Sequence, residues 1–111
     1  MVKLITTDNI EGTLKELEET NPKWILLGAD KVKKVASQVL DKNESYYGKT
    51  FVLLYELVNR RFASTKLNTL VTYLVVQCRK RNQNFVIVAP SKDRVDLRLQ
   101  RQIDEEVEYY K

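Results

Sequence analysis

The chain has 111 residues, 43% hydrophobic and 31% charged, with three glycines and two prolines, as expected of one soluble globular domain with little room for linker. It holds no histidine and one cysteine, Cys78, which excludes imidazole-ligated zinc, histidine acid–base catalysis and an intramolecular disulfide, and points to a reducing, cytoplasmic compartment. The net charge of +4 is uneven: residues 1–59 carry eight Lys/Arg against nine Asp/Glu, residues 60–103 ten against two, and residues 104–111 one against four.

Met1 to Asp8 has too short an apolar run for a signal peptide, and no later run could span a bilayer, so no membrane association is expected. Thr7-Asp8-Asn9-Ile10-Glu11 reads as a helix start, with Asp8 as N-cap and Glu11 at the capping-box position. Ile10, Leu14 and Leu17 share one helical face, and Asn21-Pro22 ends it. Trp24-Ile25-Leu26-Leu27, closed by Gly28, reads as a short buried parallel strand. Val32, Val35, Ala36 and Val39 predict a helix over 30–40, and residues 41–48 form a polar loop with Tyr46 and Tyr47.

Phe51–Tyr55 is bounded by Gly48 and rich in Phe, Val and Tyr, which favours a strand; Phe51, Leu54, Tyr55, Val58 and Phe62 would also make a helical stripe. Ser64-Thr65 is placed to cap a helix whose Leu67, Leu70, Val71, Leu74, Val75 and Cys78 form a wide apolar face. Asn82-Gln83-Asn84 breaks it, and Phe85–Val88 is a strand. Beyond Ala89-Pro90, the spacing of Val95, Leu99, Ile103 and Val107 predicts a helix, with an alternating strand over Val95–Leu99 as the competing reading. Together these elements predict an α/β fold: a small three-layer domain with a short, mainly parallel sheet of about three strands and helices on both faces. The two free sheet edges would permit a homo-oligomer.

Several short patterns then fall in a fixed order. A strand ends in Tyr55-Glu56, followed by Asn59-Arg60-Arg61-Phe62-Ala63-Ser64, then Gln77-Cys78-Arg79-Lys80-Arg81, a strand ending Ala89-Pro90, and Val95-Asp96-Leu97-Arg98-Leu99-Gln100-Arg101. In this the chain resembles the P-loop ATPases that move or package DNA in archaea, their viruses and filamentous phages. The likeness covers residues 24 to 101 and is best from Leu53 onward. In that family the equivalent strand ends in Asp-Glu, the helix in Gln-x-Arg-Lys, the next strand in Ala-Gln, and Val-Asp-x-Arg-x-Arg follows. The resemblance implies a shortened P-loop core, encoded by a virus or plasmid, with strand order 24–28, 85–89, 51–55.

The residues that would perform phosphoryl transfer are largely replaced. A P-loop needs glycines that bring backbone to the phosphates, a lysine, and a hydroxyl for magnesium. Gly28-Ala-Asp-Lys-Val-Lys33-Lys34-Val35 keeps only Gly28 and Lys34 as vestigial nucleotide-binding candidates; Lys33 crowds the second glycine's place and Val35 cannot ligate a metal. A glycine turn before a basic helix accounts for it as well. Gly48-Lys49-Thr50 carries the literal tripeptide, but on a loop with Asn43 at the leading glycine's place. Tyr55 replaces the magnesium-positioning aspartate, Glu56 is a vestigial candidate for the base, and Pro90 stands where a sensor glutamine would be. No catalytic residue, metal or cofactor is therefore expected.

The basic balance of residues 60–103, ten minus two or +8, instead suggests nucleic acid as partner, bound through Arg60, Arg61, Lys66, Arg79, Lys80, Arg81, Arg98 and Arg101. Cations at a helix C-terminus also complement its dipole, so Arg79–Arg81 has a purely structural explanation too. Nothing in the chain fixes base specificity. The remaining alternatives are a small protein with residual ATP binding through Gly28, Lys34 and Glu56, and a regulator whose basic stripe docks on an acidic protein.

Overall fold

The structure is a computed structural model that describes residues 1–20, 24–27, 34, 50–54 and 66–109, the side chains of 66–68 apart. Its elements in chain order are β1 (Val2–Thr7), α1 (Ile10–Thr20), β2 (Trp24–Leu27), β3 (Thr50–Leu54), α2 (Lys66–Lys80), β4 (Phe85–Ala89), a 3-10 turn (Lys92–Arg94), α3 (Leu97–Gln100) and β5 (Glu105–Tyr109). The five strands form one sheet in the order β2-β3-β4-β1-β5, and every pairing is parallel. The α/β class therefore stands as the sequence predicts, with five strands in place of about three.

Strand alternation sorts the sheet residues onto two faces. Val2, Leu4, Leu27, Phe51, Leu53, Phe85 and Ile87 pack with Val71, Leu74, Val75 and Cys78 of α2 and with Val95 and Leu99. Ile5, Val52, Val86 and Val88 face the other way, onto Ile10, Leu14 and Leu17 of α1. The result is three layers: α1, the sheet, and α2 with α3. All five residues of β4 are buried, as befits a central parallel strand covered on both sides. Phe51 and Phe85 add a tilted ring pair, centroids 6.3 Å apart.

The strand order differs from the predicted one. β3 lies between β2 and β4, and the strand on the other side of β4 is β1. Val2–Thr7 reads weakly as a strand because Lys3 and Thr6 interrupt its buried positions Val2, Leu4, Ile5 and Thr7. β1 takes the place beside β4 that the predicted order gave to 24–28, and β2 pairs with β3 instead.

The helix predicted beyond Pro90 is also replaced. Asp96 is buried and caps α3 by accepting the Arg98 amide at 2.8 Å, and α3 ends after four residues. Val95, Leu99 and Ile103 all reach the α2 side of the sheet, whereas Val107 reaches the α1 side. One helix could not serve both faces; a turn followed by an edge strand can. Neither did the competing strand over Val95–Leu99 form.

The cap of α1 is Asn9 rather than Asp8: Asn9 Oδ1 accepts the Gly12 amide at 3.0 Å. At its far end α2 closes through Asn82, whose φ of 55° is left-handed. The Asn82 amide donates to the Arg79 carbonyl and the Gln83 amide to that of Cys78, at 3.2 and 2.8 Å, a Schellman closure that redirects the chain into β4. The predicted helix over 30–40, except for helical Lys34, and the Ser64-Thr65 cap lie outside the described residues.

Candidate nucleic-acid interface

Because the strands are all parallel, the sheet has two chemically distinct rims. At the carboxyl rim, β1 passes into α1 through only Asp8 and Asn9. The turn is closed on itself: the Asn9 amide donates to Thr7 Oγ1 at 3.0 Å, and the Thr13 amide to the Asn9 carbonyl at 3.1 Å. Thr13 Oγ1 lies 2.8 Å from Thr7 Oγ1 and 2.9 Å from the Asn9 carbonyl, with both threonines buried. Asn9, Gly12 and Thr13 thus spend their polar groups on each other.

Of the nucleotide candidates from the sequence, only Lys34 lies among the described residues. The strand leading to Gly28 and Lys34 is an edge strand, two places from β4, where the resemblance puts it adjacent. Lys34 is helical and exposed; Gly28 and Glu56 lie outside the described residues. Among the described residues no group of three or more His, Cys, Asp or Glu could hold a metal ion. Cys78 is buried on the sheet-facing side of α2, and burial pushes its thiol up to about 12, against the lowering field of Arg81.

The basic candidates divide between the rims. α2 runs back from the carboxyl to the amino rim, so Lys66 and Lys80 stand about 21 Å apart at 1.5 Å per residue. Arg60 and Arg61 lie outside the described residues. At the amino rim, Arg79 donates to the Gln102 carbonyl and to Asp104 Oδ1, both at 2.7 Å. The other Asp104 oxygen accepts the Val2 amide at 2.8 Å. The Val2 amide and the Arg79 guanidinium hold the Asp104 carboxyl below its usual range against some desolvation.

Lys80 and Arg101 are exposed on this rim, and Arg81 is half-buried beside them. Arg98 is drawn to its own cap, with Nη2 3.1 Å from Asp96 Oδ2. A cleft lined by Met1, Lys3, Leu17, Thr50, Asn84 and Val86 opens on the amino rim toward α1. Lys3 itself reaches Glu105 at 3.8 Å, and Lys92 pairs with Glu106. The acidic β5 edge and the Arg79–Asp104 link carry no signal in hydrophobic periodicity; only the switch from +8 over residues 60–103 to one Lys/Arg against four Asp/Glu over 104–111 hints at them.

No helix among the described residues is long and apolar enough to cross a membrane. The chain matches no protein-family model and no curated protein sequence.

Proposed function

We propose that this is a catalytically silent protein of P-loop-ATPase-like organisation that binds nucleic acid non-specifically through its backbone phosphates. The observation that carries the reading is the separation of charge. The +8 balance of residues 60–103 includes Lys80 and Arg101, both exposed, while the neighbouring acidic run supplies Asp104 to Arg79.

The order the resemblance implies, 24–28 beside 85–89 beside 51–55, is not that of the sheet, where β1 rather than β2 lies beside β4; we therefore take β1 as the phosphate-loop strand. Under this reading the loop equivalent to the P-loop is Thr7–Thr13, not Gly28–Val35. That loop has Gly12 but Thr13 and Leu14 where lysine and hydroxyl are needed, and its connection is too short to wrap phosphates. Silence toward ATP follows from this chemistry, as it does from Tyr55 and Pro90.

Two measurements test the proposal. Calorimetric titration with magnesium-ATP should give no saturable heat; micromolar binding would refute the silent reading. A mobility shift at low salt should detect duplex DNA, single-stranded DNA or RNA, and weaken steeply as salt rises. Absence of binding to all three would leave the basic surface to an acidic protein.

A further inference from the structure

We infer that the amino rim of the sheet, and not the length of α2, is the surface that meets the phosphodiester backbone, with Lys80 and Arg101 as its contacts and Arg79 as the residue that holds them together. The inference rests on the nucleic-acid reading above and assigns it a place.

Parallel strands put all their amino ends on one rim, and α2 returns to the start of β4 there, carrying Arg79, Lys80 and Arg81 in its last turn and the turn beyond it. The chain between α3 and β5 crosses the same rim and carries Arg101. These segments are far apart in sequence, and the Arg79 fork joins them through Gln102 and Asp104. Asp104 in turn holds the first amide of β1, so three elements meet at one carboxylate.

The charges on this rim are not equivalent. Arg79 is matched by Asp104, and a matched cation releases little counterion when a phosphate approaches. Lys80 and Arg101 are exposed and form no ion pair among the described residues. They are the cations left available for phosphate. Arg98 is matched by Asp96, and Lys66 stands at the other end of α2. The partner chemistry is a polyanionic sugar–phosphate chain, DNA or RNA, since nothing on the rim selects a base.

The test is the salt dependence of binding on duplex DNA, single-stranded DNA and RNA, with thermal melting of each variant alongside. Lys80→Gln/Arg101→Gln should lower the slope of log affinity against log salt by about 1.8 on duplex DNA and about 1.4 on single strands, with melting unchanged. Lys66→Gln should leave the slope where it was. Arg79→Gln should lower the melting temperature and leave the slope nearly intact; loss of about one slope unit with unchanged melting would instead make Arg79 a direct contact and overturn its assignment. If the unsubstituted protein binds but the Lys80/Arg101 variant keeps its slope, the rim assignment is wrong while nucleic-acid binding stands. If the unsubstituted protein binds none of the three polymers, the parent reading fails and takes this one with it.

Discussion

Gly12→Ala should have opposite effects in two backgrounds, because Gly12 shares its space with the cap of α1. Gly12 is the third residue of that helix, and a Cβ there would come within 2.7 Å of Asn9 Nδ2 and 3.1 Å of Asn9 Cγ. Alanine is favoured over glycine inside a helix by up to about 1 kcal/mol. Losing an asparagine cap costs about 0.5–2 kcal/mol. The methyl would push aside the same side chain that accepts the Gly12 amide, so the two effects offset each other. Gly12→Ala alone should therefore fall between neutral and about 1 kcal/mol destabilising. Asn9→Ser keeps a cap of similar rank but is shorter, leaving room for the methyl. In that background Gly12→Ala should stabilise by up to about 1 kcal/mol. The coupling, about 1 kcal/mol, corresponds to about 4 °C in melting temperature for a domain of this size. Denaturant unfolding of the four proteins measures it directly. Equal stabilisation by Gly12→Ala in both backgrounds would show that Asn9 does not cap α1, and the closed turn at the carboxyl rim would go with it.

Leu74 is fully buried between α2 and the sheet, so Leu74→Ala should cost about 2–5 kcal/mol in urea unfolding, against under about 0.5 kcal/mol for exposed Leu97→Ala; similar small losses at both would undo the layer assignment. Asp104 has a folded pKa below its ordinary 3.8, so its contribution is complete above that value and lost as pH falls through the folded pKa. Stability should thus decline on acidification less steeply in Asp104→Asn than in the unsubstituted protein, and parallel declines would count against the link to Val2 and Arg79. Cys78, buried and with its thiol pushed up to about 12, should resist a thiol reagent at mildly alkaline pH until the protein is unfolded; fast labelling of the native protein would place α2 off the sheet.

What could be read from the sequence follows how strongly each element's surroundings constrain it. α2 and β4 are legible because one is covered along a whole face and the other on both sides, so their apolar residues leave no competing pattern. α1 is legible in its face, Ile10, Leu14 and Leu17, but not in its cap, since Asp8 and Asn9 are equally good cap residues and only the bond to Gly12 separates them. β5 escapes periodicity because it is an edge strand whose Glu105, Glu106 and Glu108 are exposed; its order comes from pairing with β1, a contact over a hundred residues away in sequence. Charge of that kind on an edge also discourages a second strand from adding there.

β1 bears on the site more than β5 does, because it lies beside the central strand β4. The resemblance puts the phosphate loop after Trp24–Leu27, at Gly28 and Lys34. On the proposed reading, with β1 beside β4 as the phosphate-loop strand, that position falls at Thr7–Thr13, where the polar groups of Thr7, Asn9 and Thr13 bond to one another. A turn whose donors and acceptors are so paired must break those bonds before it can cradle a phosphate. The amino rim demands no such rearrangement. There Asp104 neutralises Arg79 while Lys80 and Arg101 remain exposed beside it, so a polyanion can be met without disturbing the fold.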